Sequence, residues 1–245
     1  MFDYYPYLFL LLLVIVSFLY SSVGHGGASG YLALMVLFDF PTEKMKITAL
    51  LLNLFVAAVS FLNFYKKGYF NKNIFWVFAI SSVPFALIGG YIDFDVLYYK
   101  KILGVLLIFA IVKILNIIKP NSNNIQKVKN WLGLSFGSII GFFSGLIGIG
   151  GGVILTPLIL LMKWGGIKEA AAVSALFIWV NSASAMTGQI ISGKTLPTYF
   201  IVLVLLALVG GFLGSYFGSR KLNSSVLKVI LSTVLLIASL KLLLS

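Results

Sequence analysis

The sequence predicts an all-α membrane protein, a polytopic helical bundle of two inverted repeats. Three observations predict this fold class. The chain of 245 residues is 60% hydrophobic and only 10% charged, whereas soluble domains carry about 25% charged residues. Apolar runs of membrane-spanning length recur from one end of the chain to the other. Glycine-rich motifs occur in the same order in both halves. A lipid-embedded barrel would show short alternating segments instead, so the helical class is favoured.

Ten apolar segments follow one another along the chain. They cover residues 7–23, 27–38, 46–64, 74–92, 98–118, 132–147, 152–163, 170–191, 197–218 and 225–244. The most polar internal stretch, "KPNSNNIQKVKN" at 119–130, divides the chain almost in half. We therefore predict a first transmembrane repeat at 1–118, a cytoplasmic linker at 119–131 and a second repeat at 132–245.

Matching motifs indicate that the two halves are copies of one unit. "VGHGGASGYL" at 23–32 aligns with "IGIGGGVILT" at 147–156, at an offset of 124 residues. "ALIGGY" at 86–91 aligns with "FLGSY" at 212–216 within one residue of that offset. Matches in the same order at a nearly constant offset argue for an internal duplication, which many transporters contain.

Glycine interrupts the apolar segment that opens each half. The first such segment, residues 7–38, has 32 residues, which is too long for one straight span of about 20 residues and short for two. A re-entrant helical hairpin that enters, breaks at "GHGG" and turns back fits this length. A broken helix that continues across the membrane fits it as well.

The distribution of positive charge distinguishes these two topologies. With re-entrant hairpins the halves are inverted, and one side collects 12 of the 18 cationic residues. These residues are Lys66, Lys67, Lys72, Lys113, Lys119, Lys127, Lys129, Lys163, Lys168, Arg220, Lys221 and Lys228. Full crossings would divide the cations 9 and 9. The positive-inside rule predicts a bias, so it favours the hairpins, with both termini outside, in a multi-pass protein of the inner (plasma) membrane.

Composition excludes several other classes of function. The formal net charge of +12 is explained by lysines in short loops between spans, so we expect no nucleic-acid partner. Six acidic residues, one histidine and no cysteine leave little material for a metal or catalytic site. We therefore expect no metal, no cofactor and no enzymatic activity.

The glycine breaks are the candidate binding site. Backbone amides freed by a break in the membrane must be buried in protein or line a polar cavity, and a helix amino terminus attracts anions. In an inverted repeat the two tips meet near the midplane, so two amino termini would form an anion site without arginine. The predicted substrate-binding residues are Ser22, Gly24, His25, Gly26, Gly27, Ser29, Asn53, Gly148, Gly150, Gly151, Gly152, Thr156 and Asn181.

Each of these residue types has a simpler structural explanation. Most membrane glycines serve helix packing, the role we assign to Gly89, Gly90, Gly210, Gly214 and Gly218. The amides of the two asparagines either tie helices together or contact substrate. The one histidine of the chain either makes a fixed hydrogen bond as the neutral form or acts as a proton-coupling residue, since histidine titrates near neutral pH.

The stretch "SGLIGIGGGVILTPLILL" at 144–161, with its weaker echo "SSVGHGGASGYLALMVLF" at 21–38, resembles the sulfite exporter TauE/SafE family of membrane permeases. This resemblance implies a secondary transporter of small sulfur-containing anions, such as sulfite or organosulfonates, working by alternating access. A passive anion channel, a carrier of another small organic anion and a non-transporting membrane assembly subunit stay open as alternatives. The expected partners are a small anionic substrate and the lipid bilayer, and a homo-oligomer is left open.

Overall fold

The computed structural model describes residues 6–38, 40–92, 108, 111, 125–196 and 200–244, and the regular structure in these ranges is α-helical. The helices are α1 (Pro6–Ser22), α2 (Ala28–Leu37), α3 (Thr42–Tyr65), α4 (Lys72–Tyr91), α5 (Asn130–Ile147), α6 (Gly152–Leu161), α7 (Ile167–Ile191), α8 (Phe200–Arg220) and α9 (Ser224–Leu244). Their bounds differ from the predicted segments by four residues at most. The segment predicted at 98–118 lies, apart from two residues, outside the described ranges.

Five of these helices, α3, α4, α5, α7 and α8, are long and apolar enough to cross a membrane. By contrast, α2 and α6 have ten residues each. At 1.5 Å per residue each spans about 15 Å, which is half the hydrocarbon thickness. The chain is therefore an all-helical, multi-pass membrane protein, as the sequence predicts.

Helix α2 runs back along α1. The Ser29 hydroxyl donates to the Tyr20 hydroxyl at 3.0 Å, close to the break. Far from the break, the Phe9 and Phe38 rings meet edge to face with centroids 5.4 Å apart. As the chain advances from Ser29 to Phe38, its contacts on α1 move from Tyr20 back to Phe9. The two helices are therefore antiparallel, and α2 ends at the end of the bundle where α1 begins.

A second helical hairpin is formed by α5 and α6. Just before α5, the Gln126 amide donates to the Lys163 carbonyl, just after α6, at 2.9 Å. Ile140 of α5 shares a buried cluster with Leu155 and Ile159 of α6. This hairpin therefore also begins and ends at one end of the bundle. Its first helix includes residues 130 and 131, which the sequence assigned to the linker.

Helices of the first half pack against helices of the second half. Helix α1 packs on α8, α4 packs on α5, and α3 and α7 pack against each other between them. Glycine allows the backbones to touch: a Cβ on Gly214 would overlap the Phe18 carbonyl, and one on Gly89 would overlap the Phe142 carbonyl. Phe18 and Phe142 are 124 residues apart, and Gly89 and Gly214 are 125 residues apart, so the two contacts occupy matching positions of the two halves.

One end of the bundle, which we call the basic end, carries nine of the twelve cations predicted to share a side. These are Lys66, Lys67, Lys72, Lys127, Lys129, Lys163, Lys168, Arg220 and Lys221, at the end of α3, the start of α4, the start of α5, the end of α6, the start of α7 and the end of α8. The Asn71 amide donates to Glu169 across this end, and the Lys168 ammonium lies 5.2 Å from the Tyr69 ring centroid. The other three lie outside the residues or side chains that the structure describes.

Candidate functional site

The first break lies between α1 and α2 and depends on glycine backbone geometry. Gly24 and Gly27 have φ angles of +79° and +105°, a region that side-chain-bearing residues rarely adopt. Gly24 also rests directly on α7, where a Cβ would overlap the backbone of Ala171. Glycine at this position therefore allows both the reversal of the chain and the close contact.

The second break lies between α5 and α6 and has the same character. Gly148, Gly150 and Gly151 have φ angles of +84°, +73° and +80°. Gly148 ends α5 and donates to the Ser144 carbonyl at 2.8 Å. A Cβ on Gly148 would lie 2.8 Å from Lys46 Cγ on α3. Gly24 and Gly148 are 124 residues apart, and the residues they contact, Lys46 and Ala171, are 125 residues apart. The two contacts are therefore equivalent in the two halves.

His25 links the two breaks. Its Nε2 atom lies 3.0 Å from the Gly152 carbonyl and 3.0 Å from Thr156 Oγ1. A carbonyl can only accept, so Nε2 carries the proton and donates. Thr156 in turn donates to the Ser174 hydroxyl at 2.7 Å. The other ring nitrogen, Nδ1, is buried and has no hydrogen-bond partner among the described residues.

Asn53 of α3 also joins the two breaks. Its Oδ1 accepts from the Ala28 amide at the start of α2, at 3.0 Å. Its Nδ2 donates to the Ile149 carbonyl in the second break at 3.3 Å and to Ser182 Oγ at 3.4 Å. A Cβ on Gly150 would lie 2.7 Å from Nδ2. The buried amide is therefore fully used in holding the breaks together.

Asn181 is placed differently. The shift of 125 residues that relates α3 to α7 matches Asn53 with Ile178, whose side chain packs against Gly150 and Gly152. Asn181 lies three residues further along. Its Nδ2 donates to the Phe177 carbonyl of its own helix at 2.8 Å, and its buried Oδ1 has no partner in the described part of the chain.

Two tyrosines complete the first break, and the sequence did not single them out. The Tyr31 hydroxyl donates to the Gly26 carbonyl at 2.7 Å, and the Tyr20 hydroxyl accepts from Ser29. Both rings lie about one helical turn from the break, a spacing that could have indicated them. Ser22, by contrast, donates to a carbonyl of its own helix at 2.7 Å, which is an ordinary way for a helical serine to satisfy its hydroxyl.

The amino termini of α2 and α6 present backbone donors where the breaks meet. Eight N–H groups in and just after the breaks have no acceptor among the described residues: those of Gly26, Gly27, Ser29, Gly30, Gly150, Gly151, Gly152 and Val153. The side chains of His25, Asn53 and Thr156 around them are fully buried. Such free amides at helix amino termini can hold an anion without a cationic side chain. In the described ranges no three His, Cys, Asp or Glu residues come together to hold a metal ion.

Multiple apolar spans and two glycine breaks that meet at a buried polar centre define the class as a helical membrane transporter. The chain belongs to the sulfite exporter TauE/SafE family, whose family model matches residues 9–242. Because the match covers nearly the whole chain, the assignment applies to both halves, and the resemblance noted from the glycine motifs is confirmed.

Curated relatives carry names of the same kind. A probable membrane transporter protein of Sinorhizobium fredii is 35% identical over 233 residues, covering 94% of each chain. One of Bacillus subtilis is 26% identical, covering 82% of this chain and 81% of the relative. One of Methanocaldococcus jannaschii is 27% identical and covers 93% of each chain. No solved structure matches the chain. These names describe transporters rather than enzymes, in agreement with the sequence analysis.

Proposed function

We propose that the chain is a secondary transporter that binds one small oxyanion where the two breaks meet and moves it by alternating access. Sulfur-containing anions such as sulfite or organosulfonates are the proposed substrates, in keeping with the name of the family. One observation carries the proposal: two helix amino termini with free amides converge on a buried centre that His25 and Asn53 tie together. A preorganised set of backbone donors favours an anion without adding charged side chains to the membrane.

The proposed arrangement is an inverted repeat with two re-entrant hairpins. The exchange of packing partners between the halves, at shifts of 124 and 125 residues, supports it. The α1–α2 hairpin starts opposite the basic end, and the α5–α6 hairpin starts at it, so the tips approach from opposite ends. The positive-inside rule makes the basic end cytoplasmic.

Burial at the breaks supports a carrier over a channel. Gly24 lies against Ala171 on the side of the basic end, and Gly148 lies against Lys46 on the opposite side. An anion between these two contacts is separated from both ends of the bundle. Passage then requires one contact to open while the other stays closed, which is the definition of alternating access.

Counterflow in proteoliposomes tests the proposal. Vesicles loaded with unlabelled sulfite should take up labelled sulfite faster than empty vesicles, because a carrier exchanges one anion for another. In parallel, sulfite, thiosulfate, sulfate, methanesulfonate and acetate are compared for their effect on the melting temperature of the purified protein. A sulfur oxyanion should raise it more than acetate. Flux without trans-stimulation would indicate a channel, and no response to any sulfur oxyanion would refute the substrate class.

A further inference from the structure

We infer that the anion is held asymmetrically, by the second break rather than by both, and that the Ser144 hydroxyl is one of its ligands. This assignment rests on the proposed function and specifies which groups at the meeting point bind. It follows from a difference between the two breaks: most polar side chains of the first are already bonded within the protein, whereas a hydroxyl beside the second is not.

Side chains brace the first break. The Asn53 amide holds the first amide of α2, and the Tyr31 hydroxyl holds the Gly26 carbonyl. Ser29 is bonded to Tyr20 across the hairpin. A substrate bound by these side chains would have to compete with their internal bonds. Together these hydrogen bonds hold the backbone turn in one conformation.

Ser144 lies beside the second break and lacks such a bond. Its side chain is fully buried, and its Oγ has no hydrogen-bond partner among the described residues. Serine in a helix usually donates to a carbonyl one turn earlier, as Ser17 and Ser22 do. A Cβ on Gly151 would lie 3.3 Å from this Oγ, so the hydroxyl adjoins the residue that caps α6.

The position equivalent to Ser144, at the shift of 124 residues, is Tyr20. In the first hairpin the tyrosine hydroxyl accepts a hydrogen bond from Ser29. In the second hairpin the shorter serine replaces the tyrosine, and the residue matching Ser29 is Val153, which has no hydroxyl. The second break is therefore the one beside which a buried side-chain hydroxyl is left without a partner in the described chain.

These groups suit an oxyanion. The Ser144 hydroxyl and the amides of Gly151 and Gly152 are all donors, and none of them has an acceptor in the described chain. Phe177 and Ile140 stand within 3 Å of the Cβ position of Gly151 and supply apolar walls. Hydrogen bonds to a charged acceptor are stronger in such a water-poor setting.

The test replaces Ser144 by alanine and uses Ser60 as a matched control. Ser60 is also fully buried, and its hydroxyl also lacks a partner among the described residues, but it lies seven residues beyond Asn53 on α3, about 10 Å further along the helix. Neither substitution breaks an internal hydrogen bond. Neither S144A nor S60A should therefore lower the unfolding temperature, since an unpaired buried hydroxyl contributes no stability.

The two variants should differ in anion affinity. Removing one hydrogen bond to a charged ligand should raise the Kd of S144A for the best-binding sulfur oxyanion by about 10- to 100-fold, while S60A stays within about twofold of the parent. A Ser144→Cys variant has a slightly larger side chain and offers only a weak donor, so its Kd should also rise. It provides the same measurement if S144A folds poorly.

The outcomes separate this assignment from the proposed function. If the parent binds a sulfur oxyanion and S144A binds it as S60A does, the assignment to Ser144 is wrong and the proposed function stands. A loss of stability in S144A with an unchanged Kd also overturns the assignment, because it identifies a structural hydroxyl. If the parent binds none of the tested oxyanions, the proposed function and this assignment fail together.

Discussion

Asn53→Leu tests whether the two breaks must be held together for transport. Leucine has the same branched shape and the same number of side-chain heavy atoms as asparagine but a larger volume, so the substitution removes the amide without opening a cavity. It removes the acceptor of the Ala28 amide at 3.0 Å and the donor to the Ile149 carbonyl at 3.3 Å. The first amide of α2 then loses its partner, and the hydrogen bond from Asn53 to the second break is lost.

The expected loss of stability is modest. A buried donor left without its partner costs about 1–3 kcal/mol, and measured side-chain hydrogen bonds in membrane bundles average about 0.6 kcal/mol with a maximum near 1.7. The short bond to Ala28 should carry most of the effect, because the bonds from Nδ2 are 3.3 and 3.4 Å long. We therefore expect Asn53→Leu to destabilise the fold by about 1–3 kcal/mol.

Asn63→Leu provides the matched control on the same helix. Asn63 is also buried and donates to Ser215 at 2.9 Å while accepting from Arg220 at 3.0 Å, but it lies ten residues from Asn53, about 15 Å away towards the basic end. Both variants should lose similar stability in SDS unfolding. Counterflow per folded molecule should fall at least about tenfold for Asn53→Leu only, the equivalent of about 1.4 kcal/mol. Equal counterflow by the two variants would refute the idea that this amide orders the breaks for function.

Three further predictions concern topology, packing and protonation. The chain has no cysteine, so single cysteines can be introduced at Gly166, at the basic end, and at Thr195, at the opposite end. An impermeant maleimide should label them from opposite faces of the membrane, the first from the cytoplasm. Labelling of both from one face would contradict the topology. Gly214→Leu would overlap a carbonyl of α1 and should lower stability by about 1–3 kcal/mol or more, whereas Gly166→Ala, with open space around it, should not. A proton added to His25 goes to Nδ1, because Nε2 already donates to Gly152; it supplies a donor and a positive charge, so oxyanion affinity should rise as the pH falls. His25→Gln cannot titrate and should flatten this dependence, and a full pH dependence in that variant would exclude His25 as the proton site.

The sequence determines the helices well because the membrane makes the hydrophobic pattern explicit. The largest difference is the start of α3, at Thr42 instead of residue 46. The predicted apolar segment begins at residue 46, whereas the helix extends back past Lys44. In the fold, the Lys46 stem packs against Gly148 while its ammonium reaches carbonyls at the end of α4. Lysine can extend a helix into the apolar region in this way, because its stem is apolar and its charge is at the tip.

The candidate site was predictable where a residue is unusual for its surroundings. His25, Asn53 and the clustered glycines stand out in apolar segments, and the structure places them at the breaks. Tyr31 and Ser144 did not stand out, because a tyrosine or serine in a membrane helix is common and its role depends on a partner that only the fold brings near. Asn53 and Asn181 share a residue type but not a position, because the packing of α3 on α7 matches Asn53 with Ile178.

The two contacts that enclose the breaks are chemically unequal. On the side of the basic end, Gly24 rests on the backbone of Ala171. On the opposite side, Gly148 rests on the stem of Lys46, whose ammonium lies 3.4 Å from the Gly89 and Gly90 carbonyls. Opening the second contact must therefore move a side chain that is hydrogen-bonded to the carboxyl end of α4, where the helix dipole favours a cation. Opening the first contact only separates the backbone of Gly24 from the backbone of Ala171.

This inequality predicts that Lys46 restrains opening away from the basic end. Lys46→Met keeps an apolar stem against Gly148 but removes the hydrogen bonds to α4. In a Ser182→Cys background, the buried thiol near the second break should then react faster with an impermeant reagent added from the side opposite the basic end. Lys44→Met removes a charge two residues away at the same end and should leave the rate unchanged. If both substitutions change the rate equally, the effect is one of surface charge, and the bonds between Lys46 and α4 do not control access.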